Sequence, residues 1–229
     1  MTTLLPNPRY ERKFVTEGLT LPEVLALVRR HPAAFREAYP PRTVNTLYLD
    51  SPELRDFYDH LNGVAHRAKT RVRWYGVWNG CIAAPALERK LKQGPVSGKV
   101  SHGLPAIAVN GHVSRADLEA ALDAAGLPAL TRSGLRYLQP SLLNRYHRHY
   151  FQSADRRFRL TVDSSLQFAR ARESQPGQPP FSPPLPLVVI ELKFGLAEAD
   201  DAARITNVLP FRVARCSKYV LGIQTLGAG

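Results

Sequence analysis

The chain has 229 residues, 31 of them basic and 19 acidic, for a formal charge of +12, and 44% are hydrophobic and 22% charged. That balance is globular and excludes a disordered tail, and no apolar run approaches the roughly 20 residues of a membrane-spanning helix. The start, MTTLLPNPRYERKF, lacks a basic segment leading into an apolar core, and Cys81 and Cys216 supply neither a disulfide framework nor a zinc spacing. One domain over residues 1–229, without a signal peptide and in the cytoplasm, is the expectation. So much positive charge in a folded chain predicts an anionic partner.

Arg9 to Thr16 alternates as a strand does. A helix is expected from Leu21 to Arg30, with Thr20 as its N-cap, Pro22 in the first turn and Glu23 near the positive end of the dipole. Val44 to Asp50 is β-branched and aromatic, hence a strand, and Ser51 caps a short helix in SPELRDFYDHLNG. Strands follow at Ala68 to Val77 and Leu87 to Lys92. Ser114 caps the helix RADLEAALDAAG, which Gly126 ends. Tyr146 to Gln152 and Phe158 to Phe168 make a strand pair around the turn ADRR. Residues 174–186 contain six of the 19 prolines and form a long irregular loop. Leu187 to Phe194 is a strand, Glu198 to Val208 a helix, and SKYVLGIQTL a last helix. The pattern is α+β, dominated by antiparallel strands.

Residues two apart share a strand face. Glu11 therefore aligns with Lys13; Lys69 with Arg71 and Arg73; Glu88 with Lys90 and Lys92; Arg159 with Thr161 and Asp163; and Glu191 with Lys193. Each set is backed by an apolar face. Trp74 and Trp78 lie opposite the arginines and are expected to pack under a helix. A sheet with one solvated face would account for any single strand. Solvated faces, however, mix neutral polar residues with both charge signs, whereas here Arg and Lys recur in pairs with one Glu beside them. Cations converging from several strands repel unless an anion lies among them. An antiparallel β-barrel tunnel with a polar, basic interior and helices packed outside would place them around one polyanion. A carboxylate beside phosphates would then hold Mg²⁺ or Mn²⁺ through oxygen.

The stretches ERKF, VNTLYLDS, RVRWYG, LERK, NRYHRHYF, RLTVDSSL, VIELKF and RCSKYVLGI run in this order from Tyr10 to Ile223. Together they resemble the vacuolar transporter chaperone (VTC) domain, the branch of the triphosphate tunnel metalloenzymes that includes the eukaryotic polyphosphate polymerase. The resemblance implies a tunnel that binds a nucleoside triphosphate. It assigns phosphate binding to Lys13, Arg71, Arg73, Lys90, Tyr146, Arg148 and Arg159, and metal binding to Glu191. It assigns Lys193, Ser217 and Lys218 to catalysis, the last two at a helix start that contacts the terminal phosphate. Arg9 stands where the wider superfamily has the first glutamate of E-x-E-x-K, so the metal rests mainly on Glu191, with Glu11 and Glu88 as helpers. The inositol-phosphate-sensing domain and membrane helices of the eukaryotic proteins have no counterpart in the sequence, and a separate membrane partner is compatible with that.

The implied activity is a metal-dependent polyphosphate polymerase that moves the γ-phosphoryl group of ATP onto a growing phosphate chain, with Mn²⁺ or Mg²⁺ as cofactor. A triphosphatase of the same fold and a non-catalytic polyphosphate-binding protein are the alternatives. A nucleic-acid-binding module is not expected: no helix-turn-helix, RNP-like aromatic pair or zinc finger is present, and the cations are spread over several strands. The seven histidines match no metal-ligand spacing.

Overall fold

The computed structural model describes residues 5–110, 113–171 and 181–227. Strand β1 (Tyr10–Thr16) leads into helix α1 (Leu21–Arg29), where the Glu23 carboxylate accepts from the N–H and the hydroxyl of Thr20 at 2.7 and 2.6 Å. β2 (Arg36–Asp50) starts well before the expected Val44. Pro40 and Pro41 lie inside it, and register shifts flank them, between Glu37 and Tyr39 and between Tyr39 and Arg42. Proline has no N–H for the ladder, so the strand bulges there instead of pairing evenly.

Helix α2 (Arg55–Leu61) begins later than a Ser51 cap would place it, after Leu54 in the left-handed region at φ 56°. The buried carboxylate of Asp50 caps it, accepting from the N–H groups of Asp56 and Phe57 at 2.9 and 3.0 Å. β3 (His66–Tyr75), β4 (Gly80–Ile82), β5 (Ala86–Gln93), β6 (Val96–Gly103) and β7 (Ile107–Val109) follow. Helix α3 (Arg115–Ala124) starts at its expected cap, Ser114, which accepts from the Asp117 N–H at 3.0 Å. α4 (Ala129–Leu135), β8 (Gln139–Gln152), β9 (Phe158–Arg170), β10 (Val188–Phe194), α5 (Ala202–Thr206) and α6 (Lys218–Leu226) complete the chain. α5 is shorter than the expected Glu198 to Val208. Of the expected loop at 174–186, residues 174–180 lie outside the described residues, and 181–186 hold neither strand nor helix.

Eight strands pair antiparallel in the order β1-β10-β9-β8-β2-β3-β5-β6, and β4 pairs with β7 separately. The expected closed barrel is not formed. Among the described residues, the two edges meet at one bridge, between Arg9 and Ser97, where each N–H reaches the other carbonyl at 3.0 Å. The positions flanking that bridge explain the arrest. Ladder bonds toward one neighbour recur at every second residue: Pro95, two before Ser97, has no N–H to donate, and Asn7, two before Arg9, is in the left-handed region at φ 46°. The result is a curled, open sheet with a gap between β1 and β6.

The outer face carries the cores. Phe14, Val162, Ile190 and Leu192 of β1, β9 and β10 bury against Val24, Leu25 and Val28 of α1 and Ile205 of α5. Trp74 and Trp78 stack with centroids 5.3 Å apart and share a cluster with Leu118 of α3, as their alternation predicts. A third cluster packs Phe57 of α2 and Tyr219 and Ile223 of α6 on β8 and β9. No helix among the described residues is long and apolar enough to cross a membrane.

Candidate active site

With the apolar residues turned outward, strand alternation turns the charged ones inward, around a cavity of about 430 Å³. β3 contributes Lys69, Arg71 and Arg73; β5 Glu88 and Lys90; β8 Tyr146 and Arg148; and β9 Arg159 and Thr161. β1 and β10 add Glu11, Lys13, Glu191 and Lys193, and Ser217 and Lys218 reach in from the start of α6. Every residue assigned from the sequence thus borders the same cavity. Arg9, Lys69 and Lys99 raise the count to eleven lysine and arginine side chains around three carboxylates.

The carboxylates hold this charge in three knots. Arg71 donates Nε and Nη2 to one oxygen of Glu88, at 2.8 and 2.7 Å, with Arg73 at 3.6 Å and Lys99 on the other oxygen. Glu11 pairs with Lys90 and lies 3.8 Å from Lys13. Glu191 is the centre of the third: Lys13 and Lys218 face its Oε1 at 3.1 and 3.4 Å, and Lys193 and Arg148 its Oε2 at 3.0 and 3.4 Å. Register makes this crossing, since Lys13 lies opposite Glu191 and Glu11 opposite Lys193.

Behind the cavity wall sits Asp163 of β9, fully buried. Its carboxylate accepts from Nε and Nη2 of Arg148, both at 2.6 Å, and from Lys218 at 2.6 Å. It therefore fixes the fork of one cation and the position of another. The Tyr146 ring supports the same two, 5.2 Å from the Arg148 guanidinium carbon and 4.9 Å from Lys218 Nζ. Its hydroxyl accepts from Arg73 at 3.2 Å.

Burial raises the Asp163 and Glu191 carboxyls, but their cationic neighbours outweigh it and hold both below the usual carboxylate range. Three of the cavity lysines, Lys69, Lys90 and Lys193, are instead held below the ordinary lysine range by burial, Lys69 the most strongly. Burial, then the repulsion of Lys13, Lys90 and Arg71, pushes its ammonium well below the ordinary lysine range. It donates a hydrogen bond to Ser217 Oγ at 2.6 Å. Among the described residues, Arg73 Nε and Thr161 Oγ1 are buried without a hydrogen-bond partner. These are donors waiting for acceptors.

Among the described residues, no group of three or more His, Cys, Asp or Glu could hold a metal ion. Both oxygens of Glu191 are engaged by four cations. Hard dications take six or more oxygens, and here protein oxygen comes mainly from Glu191 and Glu11. The donor set fits a dication only where phosphate oxygens supply most of its shell.

The sequence did not single out Asp163 or Lys69. Alternation placed Asp163 on the face of Arg159, and Lys69 beside Arg71 and Arg73. Their partners, however, come from elements distant along the chain.

Two solved structures share the fold. A putative adenylate cyclase from Vibrio parahaemolyticus matches with a TM-score of 0.51 and 10% identity, over 93% of this chain and 98% of its own. A putative adenylyl cyclase from Hippeastrum, described as having a dominant triphosphatase activity, matches with a TM-score of 0.53 and 13% identity, over 95% and 96%. No curated protein matches the chain. The model of the VTC domain matches residues 8–227, and the chain belongs to the VTC domain family.

Proposed function

We propose that this chain is a metal-dependent polyphosphate polymerase of the cytoplasm, transferring the γ-phosphoryl group of ATP to a growing polyphosphate chain and releasing ADP. One observation carries the reading: eleven lysine and arginine side chains border a single cavity with three carboxylates among them. An anion of high charge density is the ligand that such a surface lacks.

Arg71, Arg73, Arg148 and Arg159 grip phosphate oxygens through guanidinium forks, while Lys13 and Lys90 add mobile point charges. Tyr146 holds Arg148 and Lys218 in place and presents its hydroxyl beside Arg73. Ser217 caps α6, whose first N–H groups favour a terminal phosphate. Lys218 orients the acceptor end, and Lys193 screens the group in transfer. Glu191, with Glu11 near it, would hold Mn²⁺ or Mg²⁺ together with phosphate oxygens. The chemistry such an ion supplies, when bound, is neutralisation of charge that develops during transfer.

Phosphate acceptors need no general base, because a chain terminus arrives already ionised. The cavity carboxylates are held below the usual range and are weak bases. That favours chain growth over hydrolysis. The second reading, a triphosphatase, needs a proton acceptor for water, and Lys69, which burial and neighbouring cations hold below the ordinary lysine range, is the candidate for that role. Incubation with ATP and Mn²⁺, followed by a gel stained for polyphosphate, separates the two. Lengthening chains support the polymerase, and orthophosphate as sole product supports the triphosphatase. No product, with tight tripolyphosphate binding, would leave a binding protein.

A further inference from the structure

At the solvent-open rim of the cavity lies a cluster that phosphate binding does not use. The rings of Tyr39, Tyr75 and Tyr150 border the cavity, and the guanidinium of Arg42 sits among them, its central carbon 5.4, 5.5 and 5.6 Å from the three centroids. Tyr39 and Tyr150 meet edge to face at 5.9 Å. This is not core packing, since Tyr39 is 58% and Tyr75 49% exposed. The bulges around Pro40 and Pro41 free Tyr39 and Arg42 from an even ladder, and bulges near sites re-aim side chains in this way.

We infer that Tyr39, Tyr75, Tyr150 and Arg42 form the stacking site for the base of a nucleoside triphosphate. This rests on the cavity being a triphosphate site. Tyr75 and Tyr150 each follow a proposed phosphate-binding arginine, Arg73 or Arg148, by two residues on the same face. Two residues of strand span roughly 7 Å, a step that a ribose bridges. An inorganic phosphate chain has no flat apolar surface to set against exposed tyrosines, whereas a nucleotide carries one. Both aromatic rings and the guanidinium plane stack on any base, so the site selects nucleotide over bare polyphosphate without choosing among bases.

The test is calorimetric titration of the full chain with ATP and with tripolyphosphate at one salt concentration. The proteins are wild type, Tyr39→Ala/Tyr75→Ala and Tyr39→Phe/Tyr75→Phe. The alanine pair is expected to weaken ATP roughly five- to hundredfold, to leave tripolyphosphate unchanged, and to be rescued by the phenylalanine pair. An unchanged ATP affinity, or an equal loss for both ligands, overturns the stacking site while tripolyphosphate binding by the wild type upholds the phosphate cavity. A wild type that binds neither ligand overturns both.

Discussion

Replacing Asp163 by asparagine keeps the shape of the side chain and removes one charge from the best-sealed knot in the protein. Asp163 is fully buried and makes three contacts of 2.6 Å to Arg148 and Lys218. Without it, the carboxylate those two cations reach among the described residues is Glu191, each at 3.4 Å, and Glu191 already serves Lys13 and Lys193. Removing one partner of a buried pair costs about 3–5 kcal/mol. For a chain of this size each kcal/mol moves the melting temperature by roughly 2–4 °C, so Asp163→Asn should melt about 6–20 °C below the wild type. A polyanion supplies the missing negative charge. Tripolyphosphate at about 100 times its dissociation constant returns roughly 2.7 kcal/mol, and the ligand-induced rise should be at least as large in the variant as in the wild type. Thermal melts followed by circular dichroism, with and without tripolyphosphate, give both quantities. A fall of under about 2 °C, or a variant whose melting no longer responds to tripolyphosphate, would refute Asp163 as the counter-charge that prepares Arg148 and Lys218 for phosphate.

Glu191→Gln should leave nucleotide binding through the arginines intact while lowering turnover by roughly two orders of magnitude or more, whereas Arg71→Ala should weaken binding itself; paired titrations and rate assays show the contrast, and a near-wild-type rate for Glu191→Gln removes it from the mechanism. Burial pushes the Lys90 ammonium down to about 8, so its charge in the empty protein is present below that pH and lost above it. Affinity for tripolyphosphate should therefore fall as pH rises through about 8, more steeply in the wild type than in Lys90→Gln, and equal slopes would show that Lys90 is not titrating against the ligand. A lowered folded value also means that the unfolded chain binds the extra proton between the two values, so this group's destabilisation of the empty fold eases as pH climbs toward 10.4, the ordinary lysine value.

What could be read from the sequence was set by period. Lys69, Arg71 and Arg73, or Glu191 and Lys193, share a face because a strand turns every second residue the same way, and no distant partner is needed to know it. The start of β2 was hidden by Pro40 and Pro41, which argue against a strand and are tolerated here at bulges. β6, with Gly98, Ser101 and Gly103, carries little β propensity and is held by its ladder to β5. Barrel closure depends on whether two edges 88 positions apart, at Arg9 and Ser97, can keep pairing; Pro95 on one edge and left-handed Asn7 on the other oppose that, and they are informative only once the edges are known to meet. Asp163 is similar. Its face was legible, but its purpose follows from Arg148 lying opposite it in register and from α6 bringing Lys218 back across the sheet.

These ion pairs are poor candidates for a device of stability. Taking an arginine, a lysine and two carboxylates out of water costs several kcal/mol per ion, and well-packed apolar replacements often serve the fold as well or better. A sheet that only needed a filled interior would present Leu and Val on its inner face, as it does on its outer one. Here the inner face keeps cations in excess, leaves Arg73 Nε and Thr161 Oγ1 without partners, and drives Lys69 below its ordinary protonation range. Under the proposed function each of these costs would be relieved by the same event, the arrival of a polyanion. Glu88 and Glu191 are anionic oxygen acceptors, as phosphate groups are, and they pair with the arginines and lysines of the cavity. Under the proposed function, phosphate oxygens would compete with these carboxylates for the same arginines and lysines.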